Sequence, residues 1–309
     1  SMLSLQEWST AAIGLVLGAA GHTGGWPFPK GGSQAIADAL GSMLRHRGGR
    51  IVTGVKVTDR RQFPSGRPVL LDTTPRQVLG FLGELAPERW SARMRRFRYG
   101  PGSFKLDYIL SEPVPWTHPG SRNAGTVHLG GTFSEIAESE AQVTAGRHSE
   151  RPYVLVAQPS LFDRSRVPAS GETLWAYCHV PHGSDRDMTQ VVEAQIERYA
   201  PGFRDTIVER RAIGPAGLEA YNPNYIGGDI NGGRQDLRQL FSRPVSLRRP
   251  YDTPVDGVYM CSSSTPPGGG VHGMCGFHAA ERVLAKEFGI TGAPRTPPST
   301  GTGQTRGAM

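Results

Sequence analysis

The hydrophobic and polar positions switch between a helical and a strand period along the chain, and this predicts mixed helices and strands. A helix is predicted over residues 4–20, and a second one begins at the potential cap Ser33 and ends at Gly48 and Gly49. Alternating β-branched residues predict strands over 51–57 and 69–71. The later pattern predicts helices over 76–85, 188–199 and 271–288, and strands over 98–110, 153–157, 174–180, 207–212 and 255–261.

The composition narrows the fold class further. The chain has 309 residues, with 41 glycines and 25 prolines among them. Because these two residues are the least favourable in helices, a simple helical bundle and a coiled coil are excluded. A domain of roughly 150 residues is typical, so the length indicates about two domains. Residues 291–309 are rich in Pro, Gly, Ser and Thr and are predicted to be disordered.

The formal net charge is +7, which permits nucleic-acid binding without indicating it. The densest basic run lies in a predicted helix and is interpreted as a solvent-facing surface, so no nucleic-acid partner is predicted. That run consists of Arg89, Arg93, Arg95, Arg96 and Arg98.

Cysteine usage indicates a reducing compartment, and a cytoplasmic location is predicted. Three cysteines are present, Cys178, Cys261 and Cys275, and such a sparse, odd set is untypical of a disulfide framework. Cys178 also lies close to His179 and His182, but a His-x-x-His sequence beside a proline is interpreted as ordinary loop structure, and no metal is predicted. A hydrolase is disfavoured because the chain has no Gly-x-Ser-x-Gly motif, and no catalytic residue is assigned.

The most informative stretch lies near the C-terminus, at residues 255–284. A predicted strand is followed by small residues, by Gly268–Gly270 and then by a predicted helix that opens with Gly273 and Gly276. Bare backbone lets a flat ligand approach closely, and a helix start presents unpaired N–H groups to an anionic group. The competing interpretation is a Pro/Gly linker before a surface helix.

These residues carry a resemblance to a known family. The sequence CSSSTPPGGGVHGMCGFHAA resembles the C-terminal flavin motif of the phytoene-desaturase-like FAD-dependent oxidoreductases, a group that includes the pyridine-nucleotide-disulfide-oxidoreductase-domain proteins. The stretch GWPFPKGGSQAIADALGSMLRHRGGRIVTGVKV resembles the same family, as do LLDTTP, YAPGF and QLFSRP in that order. Together these segments cover most of residues 25–288.

The resemblance implies FAD as the cofactor and assigns residues to it. Val57 would meet the adenine, the serines after the last strand would lie near the pyrophosphate and ribityl chain, and the glycines would lie beside the isoalloxazine. The start of the last helix would face the flavin N1–C2=O edge, where negative charge develops on reduction. The implied cofactor-binding residues are Val57, Ser262, Ser263, Pro267, Gly268, Gly269, Gly270, Val271, Gly273 and Met274.

Four polar residues are candidates for contact with substrate. Lys105 lies in an aromatic-flanked strand, where it would either line the substrate cavity or form an ion pair with Asp107. Asn224, Asp229 and Gln239 lie in a Gly-rich polar segment upstream of the flavin motif. Such loops often carry binding groups, but turns stabilised by Asn and Asp side chains are an equally good explanation.

The chain departs from the family at its front end. Family members open with a strand, a Gly-x-Gly-x-x-Gly turn and a helix that binds the pyrophosphate. Residues 18–24 have a different glycine spacing and are followed by Trp26 and prolines, so they are rejected as that motif. The chain therefore resembles the C-terminal portion of a longer oxidoreductase, or one half of a split one whose N-terminal FAD-binding half is another polypeptide.

We therefore predict an α/β fold with α+β elements: a partial FAD/NAD(P)-binding, Rossmann-like domain, split in sequence around an inserted, mostly β substrate domain. The predicted division is a cofactor-domain segment over 1–97, the substrate domain over 98–215, a return to the cofactor domain over 216–290, and the tail.

The function implied by the resemblance is FAD-dependent oxidation or desaturation, with hydride passing from a small apolar organic substrate to flavin N5. The electron acceptor and a peripheral membrane contact stay open. The alternatives are flavin-assisted isomerisation, and a non-catalytic fragment or partner subunit that completes a flavin site.

Overall fold

The structure is a computed structural model that describes residues 2–7, 10–167, 171–245 and 248–292. The helices are α1 (Thr10–Gly24), α2 (Gln34–His46), α3 (Pro75–Leu82), α4 (Glu88–Arg95), α5 (Pro119–Arg122), α6 (Phe133–Thr144), α7 (Thr189–Glu197), α8 (Pro215–Tyr221), α9 (Leu237–Phe241) and α10 (Met274–Phe288). The strands are β1 (Val69–Leu71), β2 (Gly102–Leu110), β3 (Thr126–Leu129), β4 (Val154–Ala157), β5 (Glu172–Val180), β6 (Ile207–Ile213) and β7 (Val258–Met260).

The first two helices form as predicted, but most of their apolar side chains face solvent. Helix α1 begins at Thr10, later than predicted, because residues 3–7 form turns and bends. Helix α2 buries none of its residues, and Leu40 on its apolar stripe is 62% exposed. Ser33 lies at the N-cap position of α2, but its side chain makes no capping hydrogen bond.

The predicted strand over 51–57 is wrong. The segment has no regular secondary structure, and Ile51, Val52, Val55 and Val57 are all exposed. A strand needs a neighbouring strand to satisfy its backbone N–H and C=O groups. Within the described ranges no strand pairs with this segment, so its β-branched sequence alone does not produce a strand.

The middle of the chain forms an antiparallel sheet, as predicted for a mostly β substrate domain. Its strand order within the described residues is β3-β4-β5-β2-β6, with Lys105 opposite Tyr177 in the central β2–β5 pair. One face of this sheet contributes Phe104, Leu106 and other buried side chains to a core that also includes residues from α7. In this core, every second residue along the strands packs against the apolar face of helix α7.

The opposite face of the antiparallel sheet is only half covered, and we call it the half-open face. Trp175 and Tyr177 of β5 project to it, while Leu174 and Ala176, which alternate with them along the strand, are buried in the core. Lys105 of β2 also lies on this face. The face therefore combines aromatic surface with charge.

The segments predicted to form the cofactor domain contain a second structural unit around β1 and β7. Strands β1 and β7 pair in parallel, with Leu71 opposite Met260, although the whole antiparallel sheet lies between them in sequence. A second apolar core surrounds this parallel pair and includes Val78 of α3 and Met94 of α4. The Rossmann-like, sequence-split arrangement is thus visible, while the residue boundaries 97/98 and 215/216 stay predictions.

The last helix begins three residues later than predicted. Gly273 is its N-cap and has a left-handed backbone (φ 64°), a conformation that is unfavourable for residues with a side chain. Helix α10 ends at Phe288, and most of the predicted disordered tail lies outside the described residues, from 293 onward. Among the described helices, none has the length and apolar character needed to cross a membrane.

Candidate cofactor site

The loop of residues 261–274, which carries most of the predicted flavin motif, lies at the carboxyl ends of the parallel pair. The Cys261 N–H donates to the Leu71 carbonyl at 3.0 Å, directly after β7 and at the last residue of β1. The Ser262 hydroxyl donates to the Thr73 carbonyl at 2.8 Å. In open α/β sheets, ligands bind outside the carboxyl ends of the strands, so the 261–274 loop lies where such a site is expected.

The serines of the loop fix its backbone. Ser262 is buried, and its carbonyl accepts from the Thr265 hydroxyl at 2.7 Å. The Ser264 hydroxyl donates to the Gly232 carbonyl at 2.7 Å and so joins the loop to the segment over 229–233. These contacts occupy the hydroxyls of Ser262 and Ser264, and the structure uses both residues to shape the loop.

Arg243 is a buried charged residue that contacts the 261–274 loop, and it was not among the residues predicted for the site. Its Nη2 donates to the Ser263 carbonyl at 2.8 Å and to the Gly232 carbonyl at 3.1 Å, and its Nη1 donates to the Arg234 carbonyl at 3.1 Å. Burial lowers the pKa of the guanidinium, while the charge of Asp229 acts in the opposite direction. The signal for this residue was present in QLFSRP, which contributed to the resemblance.

The glycines allow the loop to approach its neighbours closely. A methyl group at Gly269 would lie 3.0 Å from the Asn231 carbonyl oxygen, so a side chain there would push the loop away. In contrast, a methyl group at Gly273 would meet nothing within 4 Å, and Val271 is 93% exposed. The loop therefore packs tightly against the 229–233 segment on one side and is open on the other. Pro267 lies within it, after a cis peptide bond.

The start of α10 is the second element of the site. The His272 Nδ1 accepts from the Met274 N–H at 3.0 Å, so a side chain takes one of the amides that have no partner inside the helix. Cys275 is buried, and its Sγ contacts the Gly268 carbonyl at 3.4 Å. The start of α10 therefore carries further first-turn amides and the positive end of the helix dipole next to the loop.

Two ionisable groups at the strand ends have raised pKa values. Burial raises the pKa of the Asp72 carboxyl, which follows β1. Burial also raises the pKa of the Cys261 thiol to about 12, and the charge of Asp72 adds to this effect.

Val57 does not have the local structure that its predicted cofactor contact requires. It is exposed in a segment without regular structure, so the strand that the resemblance implied for it is not formed. Its assignment to the adenine stays a prediction.

Three of the four substrate candidates are used by the protein itself. Asp229 is fully buried, and its carboxylate accepts from the N–H groups of Gly100, Asn231 and Gly233 at 2.7–2.8 Å. The Gln239 side chain accepts from the Arg98 N–H and donates to the Arg98 and Arg234 carbonyls.

Asn224 links two loops: its Oδ1 accepts from the Thr74 N–H at 3.0 Å. The Asx-turn interpretation describes this residue as well, since its N–H donates to the Asn222 side chain. Asp229, Gln239 and Asn224 thus form hydrogen bonds with other groups of the protein. A substrate role for them stays a prediction.

Lys105 forms the ion pair considered for it, and its substrate role stays a prediction. Its ammonium forms an ion pair with Asp107 and lies 5.9 Å from the centre of the Trp175 ring. It also projects to the half-open face. Lys105 is therefore the substrate candidate that lies on an accessible surface.

Cys178, His179 and His182, which were considered as metal ligands, each contact a different part of the protein. Cys178 is in the core of the antiparallel sheet, His179 is hydrogen-bonded to Glu140 at 2.8 Å, and His182 contacts the Gly100 carbonyl at 2.9 Å. The described residues contain no group of three or more His, Cys, Asp and Glu side chains arranged to bind a metal ion.

The 261–274 loop fits a flat cofactor. The space beside Gly273, the N-cap of α10, is empty to 4 Å, and exposed Val271 offers apolar contact. Such a surface has room for a ring system and N–H donors for its polar edge.

Two curated proteins with related sequences carry the names of an oxidoreductase domain and of a desaturase. The chain is 27% identical over 306 residues to pyridine nucleotide-disulfide oxidoreductase domain-containing protein 2 of Mus musculus, covering 85% of this chain and 52% of that protein. It is 23% identical over 299 residues to phytoene desaturase (neurosporene-forming) of Rhodobacter capsulatus, covering 86% and 54%. The resemblance predicted from the motifs is thereby confirmed. The chain spans about half the length of these relatives.

The fold is similar to that of a solved oxidoreductase from Methanosarcina mazei. The TM-score is 0.55 with 14% sequence identity, and the similarity covers 84% of this chain and 56% of that one. This confirms the predicted α/β fold class. A comparison with protein-family models gave no match.

Proposed function

We propose that this chain is part of a FAD-dependent oxidoreductase of the dehydrogenase or desaturase kind. The observation that carries the proposal is the position of the 261–274 loop, at the carboxyl ends of β1 and β7 and at the start of α10. The names of the relatives support the class of reaction. When bound, FAD supplies the hydride-accepting atom, its N5.

The residues of the chain would bind and orient that cofactor. Gly268–Gly270 leave the backbone bare beside the ring system, and the first-turn amides of α10 donate to the edge that becomes negative. Arg243 fixes the loop from behind through the Ser263 carbonyl, so the amides keep their direction before any ligand arrives. Fixed dipoles of this kind stabilise developing charge without reorganising during the reaction.

A FAD-retention experiment tests this proposal. The purified chain is incubated with excess FAD, desalted and assayed for flavin absorbance. We expect Gly269→Val to reduce flavin retention at least tenfold, because any side chain there meets the Asn231 carbonyl. Gly80→Val is the matched control, since Gly80 is exposed on α3 with nothing within 4 Å of its missing methyl. The same comparison is made in the presence of the Gly-x-Gly-x-x-Gly polypeptide if the chain alone retains no flavin. Equal retention above background by Gly269→Val and the unchanged chain would refute the site.

A second candidate function is that the chain completes a flavin site together with another polypeptide segment. Three observations favour it: the apolar stripe of α2 is exposed, the 51–57 segment has no strand partner among the described residues, and β1 and β7 form an isolated parallel pair there. Parallel sheets are normally covered on both faces and have more than two strands. A segment with a strand–Gly-x-Gly-x-x-Gly–helix unit would supply the missing strands.

This candidate predicts that flavin retention depends on the second segment. The chain alone would retain little FAD, and co-expression with a polypeptide that contains the Gly-x-Gly-x-x-Gly unit of a relative would increase retention. If the chain alone retains stoichiometric FAD, a completing partner is unnecessary and this candidate is excluded.

A further inference from the structure

A second cavity lies away from the 261–274 loop, on the half-open face of the antiparallel sheet. It has a volume of about 290 Å³ and lies where β2, β5 and β6 are adjacent. Its lining includes Trp175 and Thr173 of β5, Asp107 of β2, Arg211 of β6, and Arg166. The volume is near the lower end of the range for small-molecule sites.

The aromatic side chains give this cavity a flat apolar wall. The rings of Trp175 and Tyr177 are nearly parallel, with an interplanar angle of 15° and centroids 6.2 Å apart. Tryptophan lines the cavity, and Tyr177 extends the same surface along β5. Flat unsaturated groups stack favourably on surfaces of this kind.

The charges of the lining favour an anionic group on the ligand. Asp107 is neutralised by its ion pair with Lys105. A third arginine of the lining, Arg210, is paired with Glu193. Arg166 and Arg211 make no ion pair with any described residue, although the charge of Asp163 acts on Arg166, and Glu209 is the remaining unpaired carboxylate of the lining. The lining therefore offers two guanidiniums without an ion-pair partner, and guanidinium is the side-chain group best matched to a carboxylate ligand.

The cavity also adjoins the segment that the resemblance assigns to the cofactor domain. The Gly31 N–H donates to the Asp163 carboxylate at 2.6 Å, and the Arg166 side chain lies against Gly32. Asp163 and Arg166 belong to the segment that covers one side of the cavity. The segment that carries Asp163 and Arg166 therefore contacts the Pro/Gly turn over 24–32.

We propose that this cavity binds a flat, unsaturated or aromatic carboxylate, with its unsaturated part on Trp175 and its carboxylate between Arg166 and Arg211. The idea that this cavity is the substrate site rests on the proposed function. The binding of a carboxylate in the cavity does not depend on it.

The test compares two probes with the same carbon skeleton, trans-cinnamate and cinnamyl alcohol, by isothermal titration calorimetry without FAD. We expect cinnamate to bind at least tenfold more tightly than the alcohol. In the Arg166→Gln/Arg211→Gln variant the two affinities should become equal within about twofold, because the charge contribution is lost. Arg89→Gln, on the exposed surface of α4, is the matched control and should keep the preference.

The location is tested by Trp175→Leu, which should weaken binding of both probes about tenfold because the stacking surface is lost. Thermal unfolding of each variant checks that it is folded. Equal affinities of the two probes for the unchanged chain, no binding of either probe, or normal binding by folded Trp175→Leu would each overturn the proposal. FAD retention by the arginine variant is measured in parallel, so that failure here is distinguishable from failure of the flavin proposal.

Discussion

At the scale of single residues, the site depends on buried charged groups that bond to backbone rather than to other side chains. Asp229 accepts from three N–H groups, and Arg243 donates to the Ser263 carbonyl of the 261–274 loop and to the Arg234 carbonyl of the neighbouring segment. A buried charge is costly unless it is hydrogen-bonded, so each of these residues fixes the loops around it. Both act on the path of the main chain near the proposed cofactor.

Substitution of Asp229 by Asn should lower the free energy of unfolding by about 2–3 kcal/mol. The amide retains one acceptor oxygen, but its NH₂ group would face N–H donors that now bond to the carboxylate. Urea denaturation at neutral pH measures the change. Asp38→Asn is the control, because Asp38 accepts only from an exposed Gln34 on α2. Equal stability of the two variants would contradict the role given to Asp229.

The ion pair between Asp252 and Arg282 should make stability depend on acid pH. Burial acts to raise the pKa of Asp252, but the Arg282 hydrogen bond and charge outweigh it and lower the pKa overall. A lowered folded-state pKa means that the stabilisation is present above the unfolded pKa of about 3.9 and is lost as the pH falls below it.

Asp252→Asn should therefore destabilise the chain by about 1.5 kcal/mol at pH 6, with a smaller difference at pH 3. Urea denaturation at the two pH values measures it, and Asp256→Asn, at a fully exposed carboxylate, serves as the control. A difference for Asp252→Asn that is as large at pH 3 as at pH 6 would be inconsistent with this ion pair.

At the scale of elements, α2 and α3 have similar amphipathic sequences and opposite environments. Helix α3 buries Val78, Phe81 and Leu82 against the parallel pair. Helix α2 has an equally clear apolar stripe, yet none of its residues is buried. The amphipathic sequence therefore predicts a helix in both cases. It does not predict whether another element covers the apolar face of that helix.

This contrast gives a direct prediction for stability. Leu82→Ala should cost about 2–5 kcal/mol, because the side chain is 2% exposed in the core around the parallel pair. Leu40→Asp should change the stability by less than about 0.5 kcal/mol, because Leu40 is 62% exposed. Chemical denaturation of both variants measures the difference. A large loss for Leu40→Asp would show that α2 packs against the rest of the chain.

The strands show where local sequence is sufficient. The pattern predicted β1 and four of the five strands of the antiparallel sheet, all except β3, and the partners of these strands lie in the same chain. It failed at 51–57, where the residues are equally β-branched, because strand formation requires a pairing neighbour. Likewise, the motif predicted the 261–274 loop, but the functions of Asp229 and Gln239 in fixing backbone follow from contacts between distant segments.

At the scale of the whole molecule, one chain forms two cores, and the parallel pair joins segments from both sides of the antiparallel sheet. The sequence order of the motifs predicted this split through the resemblance. Pairing of β1 with β7 could not be deduced from three-residue strands, since their sequences do not specify a partner. The cavity beside Trp175 was also beyond prediction, because it is formed by three strands and a covering segment.

Amide hydrogen exchange with and without saturating FAD tests the central claim most directly. If the 261–274 loop and the start of α10 bind the cofactor, amides over 268–276 should exchange more slowly with FAD, while those of the antiparallel sheet core remain unchanged. Unaltered exchange over 268–276, with protection elsewhere or nowhere, would contradict the account.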